Sequence, residues 1–319
     1  MSGAAQQTTD NSVHAHRHRK FDGMAAHSSE APRRPRTDLR AIPPRASLRY
    51  TATWPRKRLD ALRFRGDPLA DAVAEELHAR HGGLTNIHDL LSTVRAKAAA
   101  PGSSGGAAAA AACPLRAFLD ASAEVPAWAD AAQIARGQRV HAVHYPAIGL
   151  SLFSGSLVGG AQFSNAAIVT ALAGNITTDP TRRVRETGAL LAALALPGSL
   201  LRAGGAAHDS LSRVRLLHAA LRHWLPRSGR LKGHASMAPA GVFLPGEVPL
   251  NQQDLAITLG IFCYLNLRSL RRMAVVLPRA DIEAYVAMWR CAGRVLGIAE
   301  ELLPASLEEQ VRLLATDYW

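Results

Sequence analysis

The chain has 319 residues, 48% of them hydrophobic and 5% aromatic, and a formal net charge of +12. That size and apolar content bury a substantial core and exclude a wholly disordered protein, while Ala and Leu in plenty beside few aromatic residues argue for helices over sheets. Residues 1–65 hold fourteen Lys and Arg against five Asp and Glu, a net of +9 that leaves +3 for all that follows, so the basicity belongs to an N-terminal arm and a nucleic-acid role for the folded body is not favoured.

Residues 1–50 are polar, charged and punctuated by proline, and are expected to form a disordered basic arm. His14, His16 and His18 alternate within it, a weak metal-binding pattern at most. No apolar run follows the early basic residues, nor the pairs and clusters Arg33-Arg34 and Arg56-Lys57-Arg58. No export signal is therefore expected, and a cytoplasmic location is inferred. The three cysteines, Cys113, Cys263 and Cys291, are too far apart in sequence to suggest a disulfide framework or a zinc site.

Order is expected from Trp54 onward. Asp67 is placed to cap a helix with Pro68 at its first position, running through Val73 and Leu77 to Gly82-Gly83. His78 and His81, three apart, could share a metal on one face, although a solvent-facing helix end is the commoner meaning. A second helix spans about 86–99, and a Gly-, Ser- and Ala-rich stretch over 100–112 reads as a flexible insert. Pro114 restarts order, and a helix over about 130–145 carries His141 and His144.

From Pro146 to Ala173 there is no charged residue. The length would cross a bilayer. Four glycines, interspersed Ser, Asn and Gln, and the lack of framing anchors favour a buried helix pair instead, whose small residues let another helix or a flat cofactor approach. Membrane association is thus not favoured. Thr178-Asp179-Pro180 opens the next helix, Thr181 to about Leu196. On it Arg183 and Thr187 share a face, while Arg182, Arg185 and Glu186 point to solvent.

The stretch Ser212 to Leu225 reads as a helix with Val214, Leu217, Leu221 and Leu225 on one face and His218 among them. Arg213, Arg215 and Arg222 are assigned to its flanks. A histidine in an apolar stripe needs partners for its ring nitrogens. Two readings stay open on the residues alone: a core histidine bonded to a backbone carbonyl, or an axial ligand to a haem iron. Pro226 to Pro249 is loop-like. Asn251 with Asp254 three residues on starts a central helix reaching Leu270. Pro278 and Asp281 introduce another over Ile282–Leu296, and a last helix begins near Ser306 and ends at Trp319. Signatures of nucleotide binding, zinc proteolysis and nucleophile-elbow hydrolysis are missing.

The run Pro249-Leu250-Asn251-Gln252-Gln253-Asp254-Leu255-Ala256-Ile257-Thr258-Leu259 resembles the "P-I-N-Q-x-D-L-x-x-T-L" segment of the mpaB/rubber oxygenase catalytic domain family, which includes the latex-clearing proteins. Five further segments follow the family's order: Glu124–Trp128, Arg182–Gly188, Arg213–Arg222, Ala284–Arg290 with Gly293, and Leu296–Pro304. The resemblance covers roughly residues 60–319. It implies an all-α, globin-like domain over 51–319 that binds haem b, with His218 as the proximal iron ligand. Arg183 and Thr187 match the distal pair, with Arg182 or Arg185 as alternatives to Arg183. Latex-clearing members cleave polyisoprene double bonds with dioxygen. Where some of them carry an iron-ligating lysine before the threonine, this chain has Glu186. Relatives usually extend beyond the equivalent of Trp319, so a terminal helix is expected to be missing. The function these features imply is a haem b-dependent oxygenase acting with dioxygen on an apolar, isoprenoid-like alkene. The alternative is a non-catalytic haem-binding or helical interaction protein whose basic arm meets acidic partners.

Overall fold

A computed structural model describes residues 54–81, 113–152, 154, 169, 172, 180–229 and 246–318. All regular structure among the described residues is helical. The basic arm, the helix expected over 86–99, the insert over 100–112 and most of the uncharged stretch lie outside them. Eleven α-helices are described: α1 Arg56–Leu62, α2 Pro68–His81, α3 Pro114–Ala123, α4 Ala131–Val143, α5 Tyr145–Ser151, α6 Pro180–Leu194, α7 Ala206–Arg227, α8 Gln252–Gly260, α9 Asn266–Arg272, α10 Arg279–Val295 and α11 Leu307–Tyr318. No helix among the described residues is long and apolar enough to cross a membrane.

Local chemistry explains the helix starts. Proline opens α2, α3 and α6, where its missing N–H costs nothing and its fixed φ already suits a helix. Asp130 caps α4, accepting from Ala132 N and Gln133 N at 2.8 and 3.1 Å. Asn251 caps α8, accepting from Asp254 N at 2.9 Å, and its Nδ2 donates to the Asp254 carboxylate at 2.9 Å. The expected capping arrangement is present, with the side-chain amide bonded where a capping box uses the backbone N–H.

The central packing is α4 against α10, with Phe262, Tyr285 and Trp289 among the surrounding side chains. Gly137 makes this approach possible: a methyl group there would collide with the Ala284 carbonyl and lie 2.8 Å from Met288 Cβ. A second apolar cluster joins α2 (Ala70, Val73, Ala74, Leu77), α3 (Leu115, Phe118) and α7 (Leu216, Ala219).

Three expectations are corrected. The helix expected to run unbroken from Asn251 to Leu270 contains a π-helical turn, Ile261–Leu265, between α8 and α9. Asn266, fully buried, donates to Phe262 O at 2.6 Å and accepts from Ser151 Oγ at 2.9 Å. These bonds tie the wider turn to α5, and neither is visible in hydrophobic periodicity. Pro226, expected to begin a loop, lies inside the last turn of α7. The third correction concerns the arginines of α7, which sit at the site itself.

Candidate functional site

The helix α7 has two unlike faces. Its buried face is formed by Ala207, Leu211, Arg215, Leu216, Ala219 and Arg222, so Arg215 and Arg222 are not on flanks but are 4% and 7% exposed. Arg215 Nη2 and Nε meet the two Asp67 oxygens at 2.9 and 2.5 Å in a forked pair. Its guanidinium also lies 5.0 Å from the centre of the Phe118 ring. Arg222 Nε meets Asp71 at 2.7 Å and Arg222 Nη1 donates to Leu250 O at 3.2 Å. Burial pushes the Asp71 carboxyl above its ordinary range, and the Arg222 charge works against that rise. A buried arginine costs too much to leave unpaired, which is why Arg215 sits opposite Asp67, just before α2, and Arg222 opposite Asp71 within it.

The other face holds Val214, Leu217, His218 and Leu221. These residues are only partly covered, Leu217 being 38% exposed and Trp224 beside them 40%. Only at its C-terminal end does the expected apolar stripe close completely, where Leu225 packs with Val169 and Leu172 and partly buried Leu221 and Leu250 lie against them. The helix α6 packs against α7. Arg183 and Thr187 both lie in α6, four residues apart and hence on one side of it, and Thr187 is half-buried. The Arg183 side chain is outside the described residues. Arg182, Arg185 and Glu186 are exposed as expected, and Arg182 pairs with Glu186 at 3.0 Å.

No cluster of three metal-ligating side chains is found among the described residues. The His81 side chain is not described. The His78 ring instead lies beside that of His223 on α7, centroids 4.6 Å apart. Burial, helped by the nearby Arg227 charge, lowers the His223 pKa.

The asparagine-glutamine run before α8 has a structural task. Gln252 donates to Gly66 O and Gly297 O at 2.9 and 3.0 Å and accepts from Ala299 N at 2.8 Å. One buried amide therefore joins the loop before α2 to the loop after α10. Gly297 has a φ of +82°, and a methyl group there would collide with the Asp67–Arg215 pair. The sequence reading missed this network. Its available signal was two carboxylates about one helical turn apart, Asp67 and Asp71, and two arginines about two turns apart on α7, Arg215 and Arg222.

His141 is a core residue. It is fully buried on α4, its Nε2 donates to Leu191 O at 3.0 Å, and its ring stacks on Tyr285. Burial lowers its pKa from 6.5 to about 4, partly opposed by the bond to Leu191. The unfolded chain takes up a proton at this residue as pH falls through 6.5, whereas the folded chain does so only near 4. Folding stability is therefore complete above pH 6.5 and falls through that window by about 3 kcal/mol, with no further loss from this group below it. Urea unfolding across the window should show this acid loss in the natural protein and a smaller one in His141→Phe; equal losses would contradict it.

The described residues form an all-helical domain, and the comparisons place the chain in a family. The family model described as "ER-bound oxygenase mpaB/B'/Rubber oxygenase, catalytic domain" matches residues 143–316. The chain belongs to this oxygenase family. Five of the six ordered sequence segments fall inside the match, and Glu124–Trp128 precedes it. A rubber oxygenase of Streptomyces sp. (strain K30) is 26% identical over an alignment of 202 residues that covers 60% of this chain and 45% of that protein. The chain thus matches less than half the length of this relative. A solved structure of latex clearing protein in the closed state superposes with a TM-score of 0.58 at 23% identity, covering 79% of this chain and 64% of that one. That likeness supports the all-α fold.

Proposed function

We propose that the domain over 51–319 is a haem b-dependent oxygenase that uses dioxygen on an apolar, isoprenoid-like alkene, with the arm over 1–50 standing apart from the chemistry. The observation that carries this reading is the partly uncovered apolar face of α7 around His218, on a helix whose opposite face is fully buried. A flat apolar macrocycle fits such a face: Val214, Leu217 and Leu221 give it dispersion contacts, and an imidazole set among them can hold an iron. In this reading His218 would hold the haem iron through its ring. Bound haem would supply the redox chemistry of iron.

The remaining tasks fall to the chain. Thr187 contributes a hydroxyl and Arg183 a guanidinium, both donors for dioxygen and for negative charge that develops as it is reduced. The apolar side chains of this face favour an alkene over a polar substrate. Exposed Glu186 is engaged with Arg182 and takes no part at the iron in this account.

Oxygen uptake by the haem-loaded protein on isoprenoid alkenes of graded length, with detection of carbonyl products, tests the proposal. Uptake coupled to carbonyl formation is expected, and Thr187→Ala is expected to slow it by roughly 100–1,000-fold through loss of one donor. A haem-loaded protein that consumes no oxygen with any such alkene would leave haem binding without this activity.

A further inference from the structure

One face of α4, continuing into α5, carries three polar side chains at steps of three and four: Gln138, His141 and Tyr145. All three donate to backbone carbonyls of α6. Gln138 Nε2 meets Leu194 O at 3.0 Å, His141 Nε2 meets Leu191 O at 3.0 Å, and Tyr145 Oη meets Gly188 O at 2.9 Å. The acceptors step backward by three residues each time, so the two faces run antiparallel with matched rungs. Gln138 reaches further, to Leu196 O at 2.7 Å, and its Oε1 accepts from Gly198 N at 3.0 Å. Gln138 and His141 are buried, and Tyr145 is half-buried.

Helix carbonyls have a second lone pair, so these donors add to the helix ladder of α6 without replacing it. Leu191 O, for example, also accepts from Ala195 N at 3.2 Å. Bonds to backbone atoms fix a helix along and around its own axis, whatever its side chains do. A slip of one residue moves each carbonyl about 1.5 Å along the axis and roughly 100° around it, and all three donors would then miss. The last rung ends on Gly188, the residue after Thr187.

We propose that Gln138, His141 and Tyr145 are positioning residues, whose three donors set the register and rotation of α6 against α4 and α5 and thereby the place of Thr187 in the site. This rests on the reading of α6 and α7 as the walls of a haem pocket. None of the three is assigned contact with haem or substrate.

The test compares Tyr145→Phe and His141→Phe with Tyr285→Phe in the haem-loaded full chain. Tyr285 supplies a similar control, since its buried hydroxyl accepts from Asn266 Nδ2 at 3.3 Å and makes no described bond to α6. Two readouts are taken: hydrogen exchange over residues 180–195, and the C–O stretching frequency of carbon monoxide bound to the reduced protein. Losing one rung should speed exchange in α6 about fivefold and shift the C–O frequency, and Tyr285→Phe should do neither. Faster exchange with an unmoved C–O frequency would reduce the ladder to scaffolding and overturn the positioning role, as would no change in either. A chain that takes up no haem would overturn the pocket reading and the positioning role together, and its colourless state tells that failure from the others.

Discussion

Arg215→Leu is expected to lower the free energy of unfolding by about 3–5 kcal/mol, because it leaves the Asp67 carboxylate buried without its forked partner. The pair is enclosed on both sides, with side chains 5% and 4% exposed. Asp67 also accepts weakly from Ala70 N at 3.4 Å, too little to hold a charge in that setting. Its own backbone N–H donates to Asp71 Oδ2 at 2.9 Å, so the orphaned carboxylate would sit near a second one. The double variant Asp67→Asn/Arg215→Leu should recover a large part of the loss, since neither position then carries an unpaired buried charge. Urea unfolding of the two single variants and the double variant measures this. For contrast, Arg65, whose side chain is half exposed, pairs with Glu301 at 3.1 Å, and Arg65→Ala should cost less than about 1 kcal/mol. An Arg215→Leu protein as stable as the natural one would contradict the account of the α2–α7 interface.

Helices whose starts carry local chemistry were legible in the sequence. Pro68, Pro114 and Pro180 mark where α2, α3 and α6 begin, and Asn251 marks α8, because caps and first-turn prolines act within a few residues. Composition favoured helices over sheets, and the all-α class and the family followed from six ordered segments, five of which lie within the matched residues. The faces of α7 were not legible. Periodicity assigns apolar side chains inward and arginines outward, and here the rule is inverted by partners about 150 residues away. Arg215 and Arg222 go inside because Asp67 and Asp71 meet them there, while Leu217 and His218 are left partly open. The π-helical turn at Ile261–Leu265 was hidden for a similar reason, since it depends on Asn266 bonding back to Phe262 and across to Ser151. Gln252 belongs to the most recognisable segment of the chain, yet its bonds are those of a structural joint, a role a motif match alone does not reveal. What the structure supplies toward the proposed site is the packing of α6 against α7.

The second large effect is expected at His218. If its imidazole holds the iron, His218→Ala removes the one protein–metal bond proposed here. The loss in haem affinity should exceed the roughly 100-fold that follows removal of an outer-shell partner of a metal ligand. The fold should survive the change. His218 is half-buried on the open face of α7, away from the Asp67–Arg215 and Asp71–Arg222 pairs that fasten that helix. Far-ultraviolet circular dichroism should therefore be the same in the variant and the natural chain, so loss of haem would not reflect loss of structure. The direct measurement is a haem titration of both proteins followed by visible absorbance. The account predicts an intense Soret band that saturates at one haem per chain in the natural protein and is lost in His218→Ala at the same haem concentration. A natural chain that stays colourless after reconstitution, or a His218→Ala chain with an unchanged Soret band and affinity, would contradict it.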